Sequence, residues 1–173
     1  AVSHCFPLTG QSWEVTELEG LMDAYDYAFR NIMPSGPTWF SSVIQHTLSA
    51  VARAQFNIYS ILLILTEGVV SDMDKTIQSI IEASEKPLSI IIVGLGDENF
   101  TSMHVLNSDK QPLTDPGSGR TTVRDCVKFA EFAKFKGDAR LLARDVLSEL
   151  PKQLVAYKKR YNILPNVQPV ANV

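Results

Sequence analysis

The amino-acid sequence predicts an α/β fold: a doubly wound, mostly parallel sheet with helices on both faces. Three observations lead there. Residues 58–66 (IYSILLILT) and 88–96 (LSIIIVGLG) are nearly unbroken apolar runs, each closed by glycine or an acid, the pattern of strands covered on two sides. Between them Ile77, Ile80 and Ile81 recur at helical spacing, so the three segments form a strand-helix-strand unit. Upstream and downstream segments repeat the helical spacing that covers such a sheet.

In chain order, Thr16-Glu17-Leu18-Glu19 matches a capping box and predicts a helix with Leu18, Leu21, Met22, Tyr25, Phe29 and Ile32 on one face. Pro34-Ser35-Gly36-Pro37 stops it. A second helix is predicted from near Thr38, with Phe40, Val43, Ile44, Leu48 and Val51 facing the sheet. After the strand at 58–66, the Ser71 hydroxyl is expected to cap a third helix whose first turn carries Asp72 and Asp74. Residues 109–122, with Pro112, Pro116, Gly117 and Gly119, read as a surface loop. Residues 126–132 (CVKFAEF) alternate and predict a more exposed strand. Helical spacing resumes through Leu142, Val146, Leu147 and Leu150, and Pro151 is expected to open a new turn. Leu154, Tyr157 and Tyr161 continue an apolar stripe, and Lys158, Lys159 and Arg160 make a basic helix end. The expected division is one domain over residues 1–164 and a flexible tail over 165–173.

Composition excludes several classes. The chain has 173 residues, 45% apolar and 20% charged, with a formal net charge of −3. That argues for a folded domain and against disorder, and it provides no basic footprint for nucleic acid. The longest apolar runs, 61–65 and 90–93, fall far short of the ~18 residues a spanning helix needs. Cys5 and Cys126 are too few for a disulfide framework or a zinc site, which suits a reducing compartment. No basic, apolar leader follows Ala1, and the chain is read as beginning inside a longer polypeptide.

The familiar chemical motifs fail on their details. Gly94-Leu95-Gly96 follows a strand, but Asn99 stands where a dinucleotide site needs its third glycine, and Asp97 and Glu98 would repel a pyrophosphate. His4, His46 and His104 have no metal-site spacing to one another or to the cysteines, and His46 is read as lying on the flank of its helix. Asp72-Met73-Asp74 begins like a calcium loop, yet Ile77 and Ala83 occupy its glycine and bidentate glutamate positions. What remains is Thr38, in the turn before a helix, and Glu67, at the end of a buried strand. Ligands collect at the carboxyl edge of doubly wound sheets, and this hydroxyl and carboxylate are hard oxygen donors for magnesium, manganese or calcium. A capping threonine and a surface glutamate is the plainer reading of the same two residues.

Several runs nevertheless resemble one family. They are Gly36-Pro37-Thr38-x-Phe40, Leu65-Thr66-Glu67-Gly68-Val69-Val70-Ser71-Asp72-Met73, Ser89-Ile90-Ile91-Ile92-Val93-Gly94-Leu95-Gly96, Arg124-Asp125-x-Val127-x-Phe129 and Glu149-Leu150-Pro151-x-Gln153. In order and spacing they resemble the carboxyl-terminal domain of the copines over roughly residues 1–165. Copines are cytosolic proteins with two amino-terminal calcium-dependent phospholipid-binding modules followed by a von Willebrand factor A-like domain. The resemblance implies a partial domain of that kind, with its first strands missing. With a strand order of 3-2-1-4-5-6, residues 2–6 would be the third strand and 58–66 the fourth, which leaves an apolar strand with an open edge that invites self-association.

The resemblance also implies a metal-ion-dependent adhesion site in altered form. Its threonine matches Thr38, its aspartate position is Glu67, one methylene longer, and its Asp-x-Ser-x-Ser-like motif has no counterpart here. The implied metal is Mg2+ or Mn2+, and Ca2+ would act only through domains absent from this chain. The implied function is a non-enzymatic protein-interaction module that uses Thr38, Glu67, Ser71 and Asp72 to bind protein partners. Contact with membrane phospholipid would come only through the missing amino-terminal domains, none with nucleic acid is implied, and the location would be the cytoplasm and, when calcium rises, the plasma membrane. The alternative is the A-like domain of a ubiquitin ligase whose zinc-binding ring is absent here. An enzyme on this scaffold would need a nucleophile with its base or a cofactor motif, and the sequence presents neither.

Overall fold

The computed structural model describes residues 3–55, 58–107 and 111–164. Three parallel strands, β1 (Ser60–Thr66), β2 (Leu88–Gly94) and β3 (Val127–Glu131), form one sheet in the order β1-β2-β3. Around it lie α1 (Glu17–Asn31), α2 (Ser41–Arg53), α3 (Met73–Ser84), α4 (Ala139–Leu147) and α5 (Leu150–Arg160), with short 3-10 helices at Phe100–Leu106 and Phe132–Phe135.

The register separates the two faces. Leu62, Ile90 and Val127 stand side by side, as do Ile64, Ile92 and Phe129. These residues pack with Phe40 and Ile44 of the α2 region and Ile77, Ile80 and Ile81 of α3 in one apolar core. Ile44, Ile80, Ile90 and Ile92 are fully buried, and each such side chain stabilises the fold by roughly 1.5–3 kcal/mol. The other face belongs to α4 and α5: Ser89 donates to Gln153 at 2.6 Å, and the Lys128 ammonium meets Glu149 at 2.7 Å and Asp145 at 3.6 Å. The sheet is therefore doubly wound, as expected from two buried runs flanking a helix.

Three strand expectations are corrected. β1 is not covered on both sides: Ile61, Leu63 and Leu65 are 50%, 56% and 61% exposed, because α4 and α5 lie against β3 and β2. β3 is not an exposed strand, since Val127, Phe129 and Ala130 are buried. Its alternating polar residue, Lys128, also points inward, where the carboxylates of Asp145 and Glu149 neutralise it. Residues 3–6 form no strand, which corrects the expected third strand; Val2 lies outside the described residues.

The helix ends differ from expectation for identifiable reasons. Thr16 precedes α1 but its side chain makes no capping bond, and Glu17 takes a left-handed φ of 58°, so the capping box does not form. The buried face of α1 is Ala24 and Ala28, while Leu18, Leu21, Met22, Tyr25 and Phe29 stay exposed. Ser71 does not cap α3, whose N-cap residue is Asp72. Downstream the expectation holds: Asp138 caps α4 by accepting from the Arg140 and Leu141 amides, and Pro151 opens α5 from its first turn, where its missing N–H is harmless. Within 111–122 the loop folds on itself through a Thr114–Thr121 bridge, and Leu113, Asp115 and Thr122 are buried, so it is more than a surface loop. The expected tail, 165–173, and residues 109–110 lie outside the described residues. No helix among the described residues is long and apolar enough to cross a membrane.

Candidate docking rim at the carboxyl edge

Parallel strands bring all three carboxyl ends to one edge. After β1 the Thr66 hydroxyl accepts from the Gly68 amide at 3.2 Å and donates to the Gly68 carbonyl at 2.9 Å, a local turn that sends Glu67 outward into solvent. The Leu95 amide donates to Thr66 O at 2.7 Å and locks the end of β2 beside it.

The segment 36–41 crosses the same rim. The Ser71 amide donates to Thr38 O at 2.8 Å. A Cβ built on Gly68 would lie 2.9 Å from Thr38 Oγ1, so the bare glycine lets the threonine hydroxyl approach the β1 turn. Thr38 and Glu67, far apart in sequence, thus meet at one rim, with Ser71 exposed beside them.

Asp72 is a brace for this arrangement. Its Oδ1 accepts from the Phe40 amide at 3.0 Å and the Thr76 hydroxyl at 3.0 Å, and its Oδ2 accepts from the Ser41 amide at 3.1 Å. It thereby satisfies two of the orphan donors at the start of α2, and the carboxylate suits the positive end of that helix. This is why α2 begins at Ser41 rather than near Thr38. Both Asp72 oxygens are engaged in holding the rim together.

Sequence reasoning missed Trp39. Its indole stacks on the His4 ring at 4.0 Å and lies 5.5 Å from Lys75 Nζ, which puts an aromatic and a cation next to Thr38. A second stack, Trp13 on His46 at 3.8 Å, occupies His46. Nothing in periodicity signals either pair, because the partners are separated in sequence and meet only across a loop. The third histidine, His104, bonds Glu131 at the end of β3, where Lys134 also donates at 2.8 Å. Glu131 is held below the usual carboxylate range first by Lys134 and then by His104.

The donors present do not complete a divalent-metal site. Magnesium takes about six oxygens in near-octahedral geometry, and the rim offers the Thr38 hydroxyl, the Glu67 carboxylate and the Ser71 hydroxyl. Among the described residues no group of three or more His, Cys, Asp or Glu is placed to hold a metal. Gly94-Leu95-Gly96 is explained by packing: a Cβ at Gly94 would lie 2.9 Å from the Phe100 ring, and Gly96 has a φ of +79°.

A family model described as Copine matches residues 1–166. The chain is 40% identical over 169 residues to Protein BONZAI 2 of Arabidopsis thaliana, covering 95% of this chain and 29% of that protein. It is 37% identical over 169 residues to Copine-C of Dictyostelium discoideum, covering 95% and 31%. Nicotinic receptor-associated protein 1 of Caenorhabditis elegans is 40% identical over 184 residues, covering 95% and 28%. The chain therefore spans about a third or less of the length of these relatives. With its parallel sheet wound by helices on both faces, as in a partial von Willebrand factor A-like domain, the chain belongs to the copine family.

Proposed function

We propose that this domain is a non-enzymatic docking module that binds other proteins at its carboxyl rim through Thr38, Glu67 and Ser71, with Asp72 holding the rim in shape. The observation that carries this reading is the convergence of Thr38 with the Glu67 turn, tied by Ser71 N–H to Thr38 O and by the three bonds to Asp72. One relative is named for association with a nicotinic receptor, which supports protein partners for the family's domain. Contact at this rim is made either directly or through a divalent ion, Mg2+ or Mn2+, whose remaining oxygen ligands the partner's acid supplies. Calcium and phospholipid would act through modules outside the chain, in a protein that is cytoplasmic and moves to the plasma membrane when calcium rises.

The test compares a full-length copine carrying this domain with its Thr38→Ala/Glu67→Ala variant and, as a control, Lys159→Ala. Proteins that co-purify from cells are quantified by mass spectrometry. Loss of a defined set of partners in the rim variant, and retention in the control, is expected. Equal recovery from all three removes the rim as the docking site. Calorimetric titration of the domain with magnesium separates direct from metal-assisted contact, because saturable binding lost in the rim variant restores a metal role.

A further inference from the structure

Charge is segregated along the chain. Residues 132–160 hold eight Lys and Arg against three Asp and Glu, a net +5 within a chain of net −3. The structure concentrates part of that charge on one side of α4. Leu142, Asp145 and Val146 are half-buried on its inner side, where the Asp145 carboxylate meets Lys128. The outer side presents Arg140 and Arg144 one turn apart, with Leu141 and Leu147 standing 42% and 49% exposed around them. Neither arginine makes an ion pair among the described residues, and the two acids nearest them are engaged elsewhere: Asp138 accepts from the Arg140 and Leu141 amides, and Asp145 faces Lys128. Just before α4, Lys136 is exposed in a left-handed turn with φ 51°.

We propose that the outer face of α4 docks on an anionic lipid surface, with Arg140 and Arg144 meeting headgroup phosphates and Leu141 and Leu147 entering the headgroup boundary. This goes beyond the docking rim, and it places a lipid contact inside a domain whose family resemblance assigns such contact only to other modules. The physical argument is charge complementarity joined to exposed apolar side chains. A planar guanidinium pairs bidentately with phosphate, and an amphipathic helix with a cationic face and outward leucines lies in a membrane interface. The leucines stand out beside the arginine pair, 42% and 49% exposed, which suits a soft lipid boundary better than the concave surface of an acidic protein.

The test is flotation of the 173-residue chain on a density gradient, with phosphatidylcholine vesicles that contain or lack phosphatidylserine, at low salt and with EDTA present. Aggregated protein does not float, and EDTA removes calcium bridging. Flotation only with phosphatidylserine, weakened by added salt, is expected. Arg140→Ser/Arg144→Ser lowers vesicle affinity about thirty-fold, at roughly 1 kcal/mol per basic residue, while Arg140→Lys/Arg144→Lys retains most of it. Leu141→Ser/Leu147→Ser weakens what survives at higher salt. These positions are exposed, so the far-UV circular dichroism of every variant matches the parent. Absence of flotation, equal flotation on phosphatidylcholine alone, or undiminished flotation of the serine variants overturns the proposal. Capture by immobilised polyglutamate without flotation also overturns it and makes the face a protein contact.

Discussion

Gly94→Ala offers a sharp trial of the packing argument at the end of β2. A Cβ there would lie 2.9 Å from Cε2, 2.9 Å from Cζ and 3.0 Å from Cδ2 of Phe100, inside the distances that real side chains tolerate. The ring has little freedom to retreat: Phe100 is 3% exposed and packs against Phe129 with ring centroids 5.8 Å apart. Overpacking of this kind costs about 1–3 kcal/mol, and removal of glycine's unfolded-state freedom returns about 0.4–1 kcal/mol. The expected net loss is about 1–2 kcal/mol, which for a domain of this size lowers the melting temperature by roughly 2–8 °C. The assay is thermal and urea unfolding at low protein concentration, followed by fluorescence of Trp13 and Trp39. A Phe100→Leu/Gly94→Ala double variant relieves the clash, so the two substitutions couple with opposite sign in a double-mutant cycle. An unchanged or raised melting temperature, or additive effects in the cycle, would refute the reasoning.

Three further outcomes are expected. Arg124 donates to Lys86 O at 2.7 Å, Leu88 O at 2.6 Å and Asp125 O at 3.1 Å while its guanidinium lies 5.8 Å from the Tyr59 ring and 5.5 Å from the Tyr157 ring, so Arg124→Lys, whose point ammonium cannot span these partners, lowers stability by about 2 kcal/mol; an unchanged urea midpoint contradicts this. Burial pushes the Cys126 thiol up to about 12, against only half-buried Cys5, so a thiol reagent at mildly alkaline pH labels one cysteine per native chain and both in urea; labelling of both in the native state removes the assigned burial. Asp115 is held below the ordinary carboxylate range, first by the Ser118 hydroxyl and then by the Gly117 and Ser118 amides. Its folded-state value is the lower one, so its contribution is present above the unfolded-state value near ~3.9 and is lost as pH falls through the folded-state value. Asp115→Asn accordingly flattens the acid limb of the stability curve, and parallel limbs for the two proteins would exclude the effect.

Much of the scaffold was legible because burial in a doubly wound sheet imposes a local pattern. Ile77, Ile80 and Ile81 signalled a helix and residues 88–96 a covered strand, since both patterns depend only on side-chain direction along one element. The strand-helix-strand unit was legible from the same spacing, and β1 and β2 pair in parallel across α3 as such a unit requires. The strand at 127–131 was misjudged because Lys128 carries a polar label in sequence and a neutralised interior position in space. Residues 58–66 were misjudged in the opposite direction: an apolar run states that a side chain resists water, and whether a neighbour covers it depends on elements elsewhere.

The candidate rim shows the same division. Thr38 and Glu67 were visible as oxygen-bearing residues at the ends of elements, each defined by the turn around it. Their meeting was decided by tertiary structure, through a glycine with room for a threonine hydroxyl and a carboxylate, Asp72, that starts one helix while standing before another. The Trp39, His4 and Lys75 cluster had no signature along the chain, because ring stacking between distant segments leaves no period. By itself the sequence determined, in outline, the segments that become β1 to β3 and the helices around them, but not that residues 3–6 form no strand, and it determined to which family the chain belongs, since these follow from local side-chain direction and from the order of motifs. Tertiary structure alone decided which polar groups are consumed in bracing the fold and which remain open at the surface, because a hydrogen bond depends on where two distant atoms come to rest.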